Sequence, residues 1–227
     1  MNEIFKININ EINENPYYFS KKNEYDEDKK KLTNNIIEEC YNPRYGSFDG
    51  KKMQDRFFPQ ISQTSVFLSH SYKDIEKALS IKSKIESECK NIKVFIDSLY
   101  WQSVYDAEIK LAEQYNTNTV LKHLHIMITT AIAQMIQSSR YFIFFESENS
   151  IADIKHNKTT ESPWIYFELE IANMFNPKEI TLGLENLLES SQENKKIPMR
   201  CFFNIDDIIK NMNEIKLNEL LYNLRWK

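Results

Sequence analysis

Glycine is scarce in this sequence, which has three glycines in 227 residues. A phosphate-binding loop of the GxGxxG or GxxxxGK type needs two or three glycines within a few residues. Gly46 and Gly50 lie close together, but no Gly-Lys-Ser/Thr follows them and their spacing fits neither pattern, while Gly183 stands alone. The sequence therefore excludes a Walker A site and a glycine-rich Rossmann fingerprint, so any nucleotide is bound in another way.

Cysteines and long apolar runs are also few. Cys40, Cys89 and Cys201 are widely separated and form no CxxC pair, so neither structural zinc nor a disulfide framework is indicated, and reduced thiols are typical of an intracellular protein. The N-terminal residues lack the apolar core of a secretory signal. The longest apolar run, residues 141–145, is far shorter than the roughly 20 residues of a membrane span. We therefore expect a cytoplasmic protein with no metal site and no membrane partner.

A basic excess is missing as well. The net charge is −4, whereas proteins dedicated to nucleic acid usually carry a positive surplus, so we expect no nucleic-acid partner. Apolar residues make up 41% of the chain and aromatic residues 13%, which is typical of a globular protein. The length suits one domain of about 100–200 residues with extensions.

The N-terminal part of the chain differs in pattern from the rest. Alternating apolar residues at 5–9 permit a short strand, and helical spacing over residues 32–41 predicts a short amphipathic helix. We interpret this part as an extension that packs on the main domain. The predicted division is an N-terminal extension at 1–60, a domain at 61–205 and a C-terminal helix at 206–227.

From residue 64, short apolar runs alternate with helical patterns. The stripe from Ile75 to Ile85 and the longer stripe from Leu121 to Met135 predict two helices, and Ser162-Pro163 is typical of a third helix start. Strands separated by helices imply a parallel sheet covered on both faces, and the third strand, apolar throughout, is predicted to be central. The strand candidates are 64–70, 92–97, 140–146, 179–184 and 197–203.

Polar side chains follow each of the first three predicted strands. In open α/β sheets, ligands bind beyond the carboxyl ends of the strands, so these three groups are expected to meet at one crevice. His70 is a candidate general base, although we prefer its interpretation as a hydrogen-bonded residue that shapes the first loop. The groups are Ser69, His70, Ser71 and Tyr72; Asp97, Ser98 and Trp101; and Glu146, Ser147, Glu148, Asn149 and Ser150.

The helix after the third strand places a carboxylate within an apolar stripe. The stripe consists of Trp164, Phe167, Ile171, Ala172 and Phe175. Glu168 shares this face, whereas Glu170 points elsewhere. Burying a carboxylate is costly unless it is paired or used, and carboxyl groups with a raised pKa cluster at functional sites. Spacing alone favours a structural contact and a functional role of Glu168 equally, and it favours a core position for Trp164.

These residues resemble the motifs of bacterial Toll/interleukin-1 receptor (TIR) domains. VFLSHSYKD at 66–74 resembles the first-strand motif F-[IL]-S-H-S-x-x-D, and VFIDS at 94–98 resembles the second strand. SSRYFIFFESENS and SPWIYFELEIA resemble the later block, in which a strand leads to S-x-N-S, then to S-x-W and a helix bearing Glu. The resemblance covers about 62–203. It departs from the pattern at Ser98 to Trp101, because many TIR domains have Trp directly after the Asp.

The resemblance implies a fold and a reaction. The fold is a flavodoxin-like five-stranded parallel sheet of order 2-1-3-4-5, and the reaction is cleavage of NAD⁺ at the nicotinamide–ribose bond, with NAD⁺ as substrate and no cofactor. The catalytic glutamate of TIR enzymes lies four residues after the Trp, which corresponds to Glu168. Together with the strand-end argument, the expected substrate-binding residues are Ser69, His70, Ser71, Asp97, Ser98, Trp101, Ser147, Asn149 and Trp164.

A TIR enzyme would act in antiviral defence, as in Thoeris-like systems. It would release free, cyclic or conjugated ADP-ribose, either as a signal for a separate effector protein or through simple depletion of NAD⁺. The loop at 98–118 would complete the site of a neighbouring subunit, so activity would depend on self-association. The main alternative is a non-catalytic TIR adaptor that acts through assembly. A third is a base-exchanging nucleoside transferase with a related sheet and another nucleophile. Glu168 favours the enzyme, since an adaptor needs no carboxylate there.

Overall fold

The computed structural model describes residues 3–8, 33–101, 104–154, 157–175 and 203–226. The first half of the chain contains β1 (Glu3–Asn8), α1 (33–40), β2 (Tyr41–Asn42), β3 (Ser47–Phe48), α2 (Gly50–Phe57), β4 (Val66–Ser69), α3 (Ile75–Glu88), β5 (Val94–Phe95), α4 (Asp97–Tyr100) and α5 (Val104–Ala112). The second half contains α6 (Thr117–Ser138), β6 (Tyr141–Glu146), β7 (Ala152–Ile154), β8 (Asn157–Thr160), α7 (Pro163–Phe175), β9 (Phe203–Asn204), α8 (Asp206–Asn211), β10 (Asn213–Glu214) and α9 (Leu217–Trp226).

Five of these strands form one parallel sheet in the order β10-β1-β6-β4-β5. Strand β6 lies at its centre, and residues 141–145 are fully buried because neighbours cover both edges and helices cover both faces. Successive side chains of a strand point to opposite faces. Phe142 and Phe144 accordingly pack in one hydrophobic core, and Tyr141, Ile143 and Phe145 in the other.

The two cores correspond to the two helix layers. One face of the sheet packs against α2, α6 and α7, whose buried residues include Phe57, Ile132 and Leu169. The opposite face packs against α3 and α9, with Ile81 and Leu220 fully buried. The predicted fold class, a flavodoxin-like α/β fold with a five-stranded parallel sheet between helices, is confirmed.

The predicted strands occupy three of the five sheet positions. β5, β4 and β6 lie side by side, as the order 2-1-3 requires, but the next two positions are filled by β1 and β10. The candidate strand at 179–184 lies outside the described residues, as does most of 197–203. The described end of that candidate, β9, pairs instead with β8 in a small antiparallel sheet formed by β7, β8 and β9.

The N- and C-terminal segments contribute to the sheet itself. The short strand predicted at 5–9 is confirmed as β1, which pairs with β6 over its whole length and with β10 on its other edge. The C-terminal segment comprises α8, β10 and α9 rather than one continuous helix, because Met212 leaves the helical conformation and β10 joins the sheet. In the described part of the chain, no helix combines the length and apolar character needed to cross a bilayer.

Candidate functional site

A cavity of about 360 Å³ lies at the carboxyl ends of β4 and β5, beside the start of α7. The loop after β4 forms one wall, the start of α4 forms another and the first turns of α7 form a third. This is the edge at which parallel sheets bind ligands. The lining residues are His70, Ser71, Tyr72, Lys73, Asp97, Ser98, Ser162, Trp164, Ile165 and Glu168.

Glu168 is the buried acid of this cavity. Its side chain is 5% exposed although it lines the cavity, because α7 packs this position against the sheet. Ser69, the last residue of β4, donates a hydrogen bond from Oγ to Glu168 Oε2 at 2.6 Å. A strand end and a helix therefore fix one carboxylate oxygen in place.

The surroundings of Glu168 raise its pKa well above the usual value for glutamate. Burial is the largest cause, because it disfavours the charged carboxylate, and the nearby negative charge of Asp97 adds to it. The hydrogen bond from Ser69 acts in the opposite direction, since it stabilises the ionised form. Carboxyl groups with a raised pKa cluster at functional sites, and this one lies in a cavity.

Asp97 and His70 bring two further titratable groups to the same cavity. Asp97 begins α4, and its Oδ1 accepts a hydrogen bond from the backbone N–H of Ser98 at 2.6 Å. His70 follows β4 directly, and burial lowers its pKa despite the opposing effects of Asp97, the Leu68 backbone and Asp74. The cavity thus combines an acid with a raised pKa and a neutral imidazole.

Trp164 forms the rim of the cavity rather than part of the core. Its side chain is 37% exposed, and its ring meets the ring of His125 edge to face at 5.9 Å. The predicted apolar face of α7 is wrong by about one residue, because nearly every position in this helix is apolar and the stripe has no sharp edge. The residues buried on α7 are Ile165, Glu168, Leu169 and Ala172.

The start of α7 agrees with its sequence signal. Ser162 Oγ accepts a hydrogen bond from the backbone N–H of Ile165 at 3.3 Å, and Pro163 is the first helical residue. Because Ser162 also lines the cavity, the helix cap fixes the cavity wall, and Glu168 follows six residues later on the same helix.

Ser147 and Asn149 do not line this cavity. Ser147 Oγ donates to Asp74 Oδ2 at 2.6 Å, and Asn149 Nδ2 donates to Asp74 Oδ1 at 2.7 Å. Asp74 is the residue before α3 and is 6% exposed. The two predicted substrate-binding residues therefore use their polar groups to hold the loop after β6 against the start of α3.

Trp101, another of the expected substrate-binding residues, does not line the cavity either. Its side chain is 3% exposed and packs edge to face against Phe58 and Phe95. Its indole N–H donates to the carbonyl oxygen of Pro59 at 2.9 Å. Three residues separate Asp97 from Trp101, and the short helix α4 turns the tryptophan towards the core.

Of the predicted site residues, the structure brings together Ser69, His70, Ser71, Asp97, Ser98, Trp164 and Glu168. Tyr72, which the sequence places in the first strand-end group, also lines the cavity, together with three residues that were not predicted there: Lys73, Ser162 and Ile165. Their position in the sequence, directly after β4 or at the start of α7, is the feature by which they could have been predicted. Within the described ranges, no group of three or more His, Cys, Asp or Glu residues is arranged to hold a metal ion.

A second, larger cavity of about 560 Å³ lies between α1, the β2–β3 hairpin and the end of α5. Its lining includes Tyr41, Phe48 and Tyr115, whose rings form an aromatic cluster with centroid distances of 5.3 Å. Neither Glu168 nor the strand-end residues line it. We therefore place the chemistry in the smaller cavity, which holds the buried acid.

Comparison with family models, with curated proteins and with solved structures gave no match for this chain. The argument for its function consequently depends on the cavity and its residues.

Proposed function

We propose that this protein is an NAD⁺-cleaving enzyme of the TIR type. The observation that carries the proposal is Glu168, a buried carboxyl group with a raised pKa in a cavity at the strand ends, held by Ser69. Its position on α7, four residues after Trp164, is the position of the catalytic glutamate in the TIR motifs that the sequence resembles.

The chemistry of glycosidic cleavage fits this arrangement. When the C–N bond breaks, its electron pair leaves with nicotinamide and the ribose becomes oxocarbenium-like. In its ionised form Glu168, fixed by Ser69 in a site of low dielectric, stabilises that positive charge and accepts hydrogen bonds from the ribose hydroxyl groups. The substrate is NAD⁺ itself, and no cofactor is needed.

The remaining lining residues suit the other parts of the substrate. The cavity volume of about 360 Å³ lies within the usual range of small-molecule sites, about 300–1,000 Å³. Trp164 at the rim offers a ring for stacking, Lys73 offers a positive charge to the pyrophosphate, and Ser71 and Ser98 offer hydroxyl groups. Asp97 is available to the second ribose.

Self-association through the loop at 98–118 is part of the proposal. Helix α5 within this loop exposes Tyr105 by 68% and Ile109 by 45%. These residues are four apart and therefore lie on one face of the helix. An apolar face of this kind supports contact with a second copy of the chain, which would make activity rise with protein concentration.

The biological setting that we propose is antiviral defence in the cytoplasm. The product, free, cyclic or conjugated ADP-ribose, would act on a separate effector protein, or NAD⁺ would simply be depleted. The exposed face of α5 also favours a second candidate function, a non-catalytic adaptor that signals by assembly. An adaptor would use the same face but would not need Glu168.

The test is incubation of the purified protein with NAD⁺, alone and with lysate of phage-infected cells, followed by separation of the products by mass. We expect nicotinamide together with an ADP-ribose species in equal amounts. If no nicotinamide is released under any of these conditions, the enzyme is rejected and the adaptor is favoured.

A further inference from the structure

The imidazole of His70 contains a buried nitrogen that has no hydrogen-bond partner among the residues that the structure describes. Nε2 is shielded from solvent and lies in a residue that lines the Glu168 cavity. Buried polar atoms in proteins nearly always have a partner, and one without a partner in a cavity is a candidate for contact with a ligand. His70 is therefore set apart from the polar residues that hold the loops in place, such as Ser147.

The other side of the ring fixes the position of its proton. The imidazole shares a hydrogen bond with the backbone of Leu68, and since Nε2 has no partner, we assign this bond to Nδ1. A backbone carbonyl accepts, so Nδ1 carries the proton and donates it. In the neutral ring, Nε2 then carries a lone pair, which makes it a proton acceptor.

The charges around His70 leave the ring neutral at physiological pH. Burial lowers its pKa, while Asp97 from α4, Asp74 from the turn before α3 and the Leu68 backbone act in the opposite direction with smaller effect. Lys73 and Glu168 line the same cavity. A neutral imidazole in this position is ready to take a proton rather than to supply one.

Cleavage of NAD⁺ creates a need for such an acceptor. Departure of nicotinamide takes the electron pair of the C–N bond and releases no proton, but the ribose cation is then captured by the oxygen of water or of a hydroxyl group. Formation of that C–O bond requires the O–H proton to leave. One oxygen of Glu168 accepts the hydrogen bond from Ser69, and its negative charge is used on the developing ribose cation, so a second group in the cavity is better suited to receive this proton.

We propose that His70 is the catalytic base of the capture step and that its Nε2 accepts the proton of the attacking water or hydroxyl. This role rests on the proposed function. In the complete step, the C–N bond breaks towards nicotinamide, the C–O bond forms, and the proton moves to Nε2, from which solvent removes it later. Glu168 thus serves bond breaking and His70 serves capture.

The test compares two acceptors that differ in whether they must lose a proton. Water loses a proton on capture, whereas a pyridine base attacks through its ring nitrogen and has none to lose. For His70→Gln, we expect hydrolysis of NAD⁺ to fall by about 100-fold or more, while exchange of nicotinamide for an added pyridine changes by less than about threefold. The control is His123→Gln on the exposed face of α6, which should alter neither reaction.

Equal losses of hydrolysis and exchange in His70→Gln would overturn the role of His70, as would unchanged hydrolysis. If the unaltered protein releases no nicotinamide from NAD⁺ at all, it is the proposed function that fails, together with the capture step. His70→Asn provides a second variant if His70→Gln does not fold, as judged by circular dichroism.

The protonation state of the His70 ring can be tested in the unaltered protein without a measurement of turnover. With ¹⁵N-labelled histidine, NMR is expected to show His70 at pH 7 as a neutral ring with its proton on Nδ1. A charged ring, or a proton on Nε2, would contradict the proposal whatever the activity, because Nε2 would then have no lone pair to offer.

Discussion

At the scale of single residues, Glu168 could be identified from the sequence, whereas the roles of its neighbours could not. A carboxylate within an apolar helix stripe is a conflict that spacing alone reveals. Its hydrogen bond with Ser69 joins residues 99 positions apart and depends on the way α7 packs on the sheet. The core position of Trp101 could not be predicted, because the short helix α4 that turns it towards the core has no strong sequence signal.

Removing the Ser69 hydroxyl should move the pH dependence of nicotinamide release. The hydrogen bond from Ser69 lowers the pKa of Glu168, so Ser69→Ala raises that pKa further. If catalysis uses the ionised carboxylate, the acid limb of the pH–rate profile then moves to higher pH. Ser71→Ala is the control, since Ser71 lines the cavity but its hydroxyl is not the partner of Glu168. An unchanged acid limb in Ser69→Ala would contradict this link.

Glu168→Gln should stabilise the fold at neutral pH. The pKa of Glu168 is raised in the folded protein, so folding keeps a proton that the unfolded chain has lost, and stability falls as pH rises from the usual glutamate pKa towards the raised one. Glutamine carries no charge and avoids this cost. The melting temperature of Glu168→Gln should therefore exceed that of the unaltered protein at pH 7 to 8, and the two should converge towards pH 4. A lower melting temperature at pH 8 would oppose this account.

At the scale of elements, the sequence predicts the helices and strands that follow one period over many residues, but it does not predict the short elements. The stripes over α3 and α6 and the apolar run of β6 predict those elements because each follows one period over many residues. The segment after β6 follows no such period in its sequence, yet it contains the β7–β8 hairpin. Strands of only three or four residues gain their stability from pairing, here of β8 with β7 and β9, which local sequence does not encode.

The contact between the loop after β6 and the start of α3 leads to a stability prediction. Ser147→Ala leaves the buried carboxylate of Asp74 without one of the two side-chain donors that the described residues give it, which should cost about 1–3 kcal/mol of unfolding free energy. Chemical denaturation measures this loss, and Glu148→Ala at the adjacent exposed position should have little effect. If Ser147 instead contacts NAD⁺, the variant would keep its stability and show a higher KM.

At the scale of the whole molecule, the sheet is completed by segments from both ends of the described chain. β1 lies between β6 and β10, so residues assigned to an N-terminal extension form an interior strand. The sequence indicated a strand at this position, but sheet order is set by contacts between distant segments, and two-residue strands such as β10 have no pattern of their own. The fold class could therefore be predicted, whereas the occupants of the last two sheet positions could not.

Ile7→Ala tests whether β1 is integral to the fold. Ile7 is 1% exposed, and truncating a buried isoleucine to alanine typically costs about 2–5 kcal/mol. Chemical denaturation should show such a loss in one cooperative transition, whereas Ile126→Ala, at a position that is 69% exposed, should change stability by less than about 0.5 kcal/mol. A negligible effect of Ile7→Ala would mean that β1 is dispensable.

The central claim is that Glu168 cleaves NAD⁺ in the cavity at the strand ends, and the rate of nicotinamide release tests it most directly. Glu168→Gln should lower this rate by at least about 100-fold, because the carboxylate that stabilises the ribose cation is lost. Glu170→Gln is the matched control, since Glu170 lies on the same helix but does not line the cavity, and its rate should stay within about twofold. Release by Glu168→Gln at the rate of the unaltered protein, or an equal loss in both variants, would contradict the account.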